Sequence, residues 1–331
     1  MRKKPLLSFG LLLILFSLSL MKSAQAQSFS LIDLMEPVLI EEESPNEETL
    51  PEITRQGSAA LAQRLNSGMV AAYENSMQAN NGNKIAASAD RNSFLPDDIW
   101  AVTNITQISN DQGAQRDVDI YQMVAGFDKM FGNFIVGSAI TYAHNENEQG
   151  RTRTTGDTVG VMPYMAYRIT NYLFASTALG YNYTHTNAVN NGSDIDTNEF
   201  ISETNLNLFK VINSFIVKGR AGFRYKHTKT QLEKDPSGRD DSFDELTWIG
   251  DIEFGYKVAD NFQVYTGLLY EYRDQEQSSS SATIHDGVGY MRYGAEYAVN
   301  KSLKIGAMIE HDINDEDNDF ITGGFNARME F

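Results

Sequence analysis

The sequence predicts an all-β chain: a twelve-stranded antiparallel barrel that spans an outer membrane, with one α-helix on its N-terminal side. Three observations predict it. Side chains alternate with a period of two from Asp97 to Phe331, a short turn motif returns about every 40 residues, and the chain ends on an aromatic residue. Composition removes the competing classes. The 331 residues are 41% hydrophobic, too polar for a bundle of membrane helices that each need a run of about 20 apolar residues. No cysteine is present, which excludes disulfide scaffolds, thiolate catalysis, Cys-ligated zinc and lipoprotein acylation. A net charge of −17 does not suit nucleic acid, whose phosphates call for clustered Lys and Arg.

The chain opens with Arg2, Lys3 and Lys4, an apolar run from Leu6 to Leu20, and the small-x-small site Ala24-Gln25-Ala26. That is the pattern of a secretory signal peptide, residues 1–26. Loss of Arg2, Lys3, Lys4 and Lys22 with it takes the net charge from −17 to −21. Residues 27–54 contain Glu41-Glu42-Glu43, Glu47-Glu48 and three prolines. With so few apolar side chains to offset ordering entropy, this segment is expected to be acidic and disordered. A helix is expected over residues 55–79, where Leu61, Leu65, Met69, Ala72 and Ser76 share one face. Its small residues suit a tight tunnel. Asn80-Asn81-Gly82-Asn83 stops it, and a polar linker runs to residue 96.

Residues 97–331 make the barrel. Phe262, Val264, Thr266, Leu268, Tyr270 and Tyr272 alternate with Gln263, Tyr265, Gly267, Leu269, Glu271 and Arg273, a long strand with two unlike faces. Phe215 to Tyr225 alternates in the same way with Lys218, Arg220 and Arg224, and Leu246 to Val258 with Asp251 and Glu253. The turn motif recurs at Met130–Phe134, Ile169–Leu173, Val211–Phe215, Val258–Phe262 and Val299–Leu303. Longer polar segments lie between, at 110–116, 145–157, 187–197, 228–241, 274–285 and 312–318. Five turns and six loops connect twelve strands, with both barrel ends on the turn side. Lipid offers no hydrogen-bond partner to an open sheet edge, so such a sheet must close.

The last strand places Phe325, Ala327, Met329 and Phe331 on one parity. This resembles the C-terminal signal by which outer-membrane barrels are recognised for insertion, with Ala327 smaller than the usual residue. The whole order, from signal peptide through helix to a barrel that opens at Asp98-Ile99-Trp100-Ala101 and ends at Phe331, resembles the translocator domain of autotransporters over Arg55 to Phe331. The resemblance implies that the helix threads the lumen from the periplasmic side and that what precedes it reaches the cell surface. Only 28 residues, 27–54, stand there, too few for a subtilisin-like, lipase-like or β-helical passenger. It also implies Sec export and contact with periplasmic chaperones, the barrel-assembly machinery and outer-membrane lipid, with a monomer expected.

Strand parity turns Lys218, Arg220, Arg224, Asp251, Glu253, Glu271, Arg292, Glu296, Glu310 and Arg328 inward. Both signs are present, so a structural network is expected to fix barrel and helix. Arg220 and Arg224 are the first choices to meet the helix, with Glu74 a possible partner. A pore lining is the other use of such residues. His144, His185, His227, His285 and His311 fall near loop ends, without the convergence that a metal site needs. Ser138, Ser176 and Ser202 lie in strands with no spacing that signals an activated nucleophile. The sequence therefore implies no cofactor, no metal and no catalysis. It points to transport or display of the N-terminal segment, with a porin-like channel for small solutes, or an adhesin acting through its loops, as the alternatives.

Overall fold

A computed structural model of the protein describes residues 52–65, 96–110, 116–149, 152–188, 194–232, 240–277, 283–313 and 319–331. The signal peptide, the linker and most of the acidic segment lie outside the described residues, as do Met69, Ala72, Glu74 and Ser76 of the expected helix.

The strands are β1 (Asp98–Asn110), β2 (Arg116–Phe131), β3 (Phe134–Gln149), β4 (Thr152–Arg168), β5 (Leu173–Ala188), β6 (Asp194–Ile212), β7 (Phe215–Leu232), β8 (Asp240–Ala259), β9 (Phe262–Gln277), β10 (Thr283–Ala298), β11 (Leu303–Asp312) and β12 (Asp319–Glu330). Each pairs antiparallel with its sequence neighbours, and β1 pairs with β12, so the barrel closes. All five turns fall where the motif repeats. Two of them need a left-handed residue: Gly132 has φ +61° and Asn213 φ +56°, conformations that Gly and Asn tolerate and that fit a tight hairpin.

The alternation sorts the barrel wall. On β7, Ile216, Lys218, Arg220, Arg224, Lys226 and Thr228 are buried in the lumen, while Phe215, Phe223 and Tyr225 are exposed on the outer surface. From Phe215 to Tyr225 the outer face rises about 25 Å at about 3.4 Å per residue and the usual tilt, the height of a membrane-spanning apolar band. His227 and Lys229 stand above it on the same strand. On β7 the outer face therefore carries its apolar residues on the turn side and its charges towards the loops.

The loop side departs from the sequence reading. The strands run on through much of what was expected to be loop, so Asn145 to Gln149 pair with Thr152 to Gly156. The backbone ladder continues above the membrane, where side chains no longer need to be apolar. The apolar signal ends before the hydrogen bonding does.

The helix, α1, covers residues 52–65 among those described. It already includes Glu52, Ile53 and Thr54, which the sequence reading placed in the segment expected to be disordered. Local pairing supports helix there: Glu52 accepts hydrogen bonds from Arg55 at 2.6 and 2.7 Å and from Gln56 at 2.7 Å, contacts at the three- and four-residue spacing of a helix.

Candidate functional site in the barrel lumen

The lumen has two unlike walls. Ala60, Leu61 and Leu65 of α1 pack with Trp100, Val102, Ile135, Ala139, Tyr164 and Phe174 of β1 to β5 in one buried apolar cluster. Ile53 belongs to a second, with Ile108, Ile120, Leu269, Tyr290 and Phe320. Each fully buried Leu or Ile contributes about 1.5–3 kcal/mol, so the helix rests on these surfaces by ordinary burial. The other wall, mainly β6 to β11, is charged.

Ion pairs fix the direction of α1. Arg55 reaches Glu310 of β11 at 2.6 Å, two residues from that strand's loop end, and lies over the rings of Tyr290 and Phe320 at 4.2 and 4.9 Å. Thr54 donates to Glu199 of β6 at 3.0 Å, also near the loops. Arg64 reaches Asp98 of β1 at 2.6 Å and Asp128 of β2 at 2.5 Å, both on the turn side. Nine residues separate the two arginines, two and a half helical turns, so they leave opposite faces of α1. The N-terminus of the helix therefore points to the loops and its described C-terminal end to the turns. On either side of Arg55, Gln56 donates to Thr106, and Gln122 donates to the carbonyl of Ile53 at 2.8 Å.

The structure places the ten inward candidates in pairs along the wall. Lys218 meets Glu253 at 2.7 Å, Arg224 meets Glu203 at 2.9 Å and Glu271 at 3.3 Å, and Arg292 meets Glu310 at 2.9 Å and Asp251 at 3.7 Å. Arg328 meets Asp98 at 3.2 Å and Glu330 at 2.5 Å, while Glu296 accepts a hydrogen bond from Gln263. Only Glu310 of these ten forms an ion pair with α1 among the described residues. Arg220 and Arg224, the first choices to meet the helix, form ion pairs with the wall: Arg220 lies 3.5 Å from Glu203 and 3.6 Å from Asp251, and it lines a cleft shared with α1. Register supplies these partners, because Glu203 is the cross-strand partner of Arg224, and Asp251 that of Arg220.

Parity on the clearest strands could not reveal Arg55, Arg64, Asp98, Asp128 and Glu199. The available signal was that Arg55 and Arg64 are the two basic residues of the stretch 52–65. Lys226, 3.1 Å from Glu245 and 3.9 Å from Glu199, extends the same network towards the loops.

A cleft of about 30 Å³ remains between Ala59, Ala62 and Gln63 of α1 and Lys218, Arg220, Asp251, Tyr265 and Arg292, room for about two waters. Outside the barrel, His144, His185 and His227 each hydrogen-bond the Asp opposite them, Asp157, Asp196 and Asp244, at 3.0, 2.8 and 2.8 Å. The side chain of His285 lies outside the described residues. Phe325, Met329 and Phe331 are exposed on the outer face, Phe325 and Phe331 at 68% and 69%. Ala327 shares that face.

The model of the autotransporter beta-domain family matches residues 100–315. The chain belongs to the autotransporter β-domain family. Solved structures of the same fold include the translocator domain of the autotransporter NalP from Neisseria meningitidis, at 10% identity, TM-score 0.57, and coverage of 79% of this chain and 98% of that one. The β-domain of the Bordetella autotransporter BrkA is 14% identical, TM-score 0.57, over 72% of this chain and all of the other. The transport unit of AIDA-I from Escherichia coli is 13% identical, TM-score 0.53, over 78% and 99%. No curated protein sequence matches the chain. As an autotransporter β-domain, the barrel is an integral outer-membrane protein of the transport type and not a catalytic fold.

Proposed function

We propose that this autotransporter β-domain carries its own N-terminal segment through the barrel and holds it at the cell surface, with no chemistry performed by the chain. One observation supports this reading above the rest. α1 lies in the lumen with its N-terminus towards the loops, held by Arg55–Glu310 at that end and by Arg64–Asp98–Asp128 at the other. Whatever precedes Glu52 therefore leaves on the loop side, which in outer-membrane barrels is the outside. A small-solute channel is not favoured, because the helix and the paired charges occupy the space an open pore would need.

On this reading residues 1–26 direct Sec export, periplasmic chaperones carry the unfolded strands, and the barrel-assembly machinery reads the outward row Phe325, Ala327, Met329 and Phe331. The barrel then functions as a monomer in lipid. An epitope inserted between Gln27 and Pro51 tests the reading. Protease added to intact cells is expected to cut it, while protection until the outer membrane is opened would refute display.

A further inference from the structure

The outer face repeats one arrangement of three side chains where its apolar band ends. Tyr142 and His144 of β3, Tyr183 and His185 of β5, and Tyr225 and His227 of β7 stand two residues apart, on the outward parity of their strands. Asp157, Asp196 and Asp244 are the cross-strand partners of the three histidines. In each set the tyrosine hydroxyl donates to the aspartate Oδ1, at 2.9, 2.7 and 2.6 Å, and the histidine Nδ1 meets the same oxygen at 3.0, 2.8 and 2.8 Å. Asp157 is also the register partner of His185, so His144, Asp157, His185 and Asp196 form one row across four strands. The register of β9 and β10 repeats the order, with His285 opposite Asp274 and Tyr272 two residues before Asp274. The belt therefore belongs to β3 to β10, since β11 with β12 sets His311 opposite Ile321 and β1 with β2 sets Gln107 opposite Asp119.

Below the three complete sets the same face is apolar and exposed, at Ile140 and Val159, Leu179 and Phe200, and Phe223 and Trp248. Acyl chains cover those residues, so the headgroups of the same lipids lie at the level of the belt. The side chains there are not saturated by each other. Tyrosine and histidine share Oδ1, which leaves Oδ2 of each aspartate for another donor, and 30–56% of each histidine and aspartate side chain is exposed. A carboxylate only accepts, so Nδ1 carries the proton; Nε2 then accepts when the ring is neutral and donates when it is charged. A hydroxyl can meet Nε2 in either state, whereas a phosphate oxygen only accepts. Charge points the same way. Each histidine is matched by an aspartate, and Glu146 at 3.6 Å from His144 adds a further carboxylate, so no surplus of cations is present to draw an anion.

We infer that the belt is a binding site for the sugar rings of outer-leaflet glycolipid. Aspartate Oδ2 and histidine Nε2 take hydroxyls of the sugar, and the tyrosine rings beneath them meet the start of the hydrocarbon. Glycolipid is thereby held along β3 to β10 instead of exchanging freely. The inference uses the barrel's place in the outer membrane and does not depend on what the barrel displays.

The test uses full-length protein folded in detergent and titrated with diphosphoryl lipid A, monophosphoryl lipid A or phosphatidylglycerol, with bound lipid counted by native mass spectrometry. Both forms of lipid A are expected to bind within about twofold of each other, and phosphatidylglycerol about tenfold more weakly or worse, because its headgroup offers few hydroxyls. His144→Phe with His185→Phe and His227→Phe keeps the ring area, removes the ring nitrogens, and is expected to weaken lipid A by about tenfold or more. The melting temperature measured without added lipid A reads folding separately. If the triple variant does not fold, the single variants decide, each expected to lose about two- to fivefold. Lipid A binding at the original level in the folded triple variant, or in all three single variants, would overturn the inference. So would phosphatidylglycerol bound as tightly as lipid A, which would reveal general attraction to anionic lipid. Loss of binding on removal of one phosphate would also overturn it, because phosphate and not sugar would then be the group recognised.

Discussion

Arg55→Ala removes the connection that holds the loop-side end of the helix. The guanidinium is 1% exposed, pairs with Glu310 and Glu52 at 2.6 Å each, and lies over Tyr290 and Phe320. Taking one partner from a buried pair costs about 3–5 kcal/mol. Glu310 keeps Arg292 at 2.9 Å, which places the charge effect at the low end of that range. Lost cation–π contact adds about 0.5–2 kcal/mol. The total, about 3–5 kcal/mol, corresponds to a shift of roughly 100- to 4,000-fold in the docked-to-undocked ratio of α1. Protease protection of a tag placed before Glu52, measured on the folded barrel in detergent, reads this ratio, and thermal loss of the heat-modifiable form reads the accompanying stability. Arg55→Lys keeps the charge but not the two-pronged hold on Glu52, and is expected to fall between. If Arg55→Ala has the protection and melting temperature of the original chain, the helix is not anchored by this arginine and the reasoning fails.

Deleting residues 52–65 is expected to convert a nearly silent barrel into one with steady conductance in planar bilayers; large conductance from the full chain would show that the lumen is not filled. Arg224→Ala takes the nearest cation from Glu203 and Glu271, leaving them Arg220 at 3.5 Å and Arg273 at 3.8 Å, and touches no helix ion pair, so it should lower the barrel melting temperature while α1 stays protected. Loss of protection equal to that of Arg55→Ala would contradict that division. Removal of Phe331 should reduce assembled barrel in outer-membrane fractions by several fold, and unchanged assembly would count against the outward C-terminal row as an insertion signal.

Most of the barrel was legible because lipid imposes a strict rule. Every strand must show an apolar outer face, and every turn must reverse the chain in a few residues, so alternation and the repeat at Met130, Ile169, Val211, Val258 and Val299 give strand number and connectivity. Outside the lipid that rule lapses. Asn145 to Gln149 and Thr152 to Asp157 belong to strands although their composition suits loops, because backbone pairing there needs no particular side chain. Inward parity likewise identifies Lys218, Arg220 and Arg224 as lumenal but not their partners. Those depend on the stagger between strands and on which wall the helix leans against. Arg55, Arg64 and the opposed Asp98 and Asp128 became visible only once register was known.

The direction of the helix in the lumen is the central claim, and paired cysteines joined by a short bifunctional thiol reagent test it most directly. Thr54→Cys with Glu199→Cys, and Arg64→Cys with Asp128→Cys, are predicted to be cross-linked by the reagent in barrels assembled in cells, since the side chains of each pair meet tip to tip and so hold their backbones too far apart for a direct disulfide but within the reagent's span. The crossed combinations, Thr54 with Asp128 and Arg64 with Glu199, are predicted to stay unlinked. Cross-linking of the crossed pairs, or of neither set, would mean that the helix is inverted or absent from the lumen, and display through the barrel would have to be abandoned.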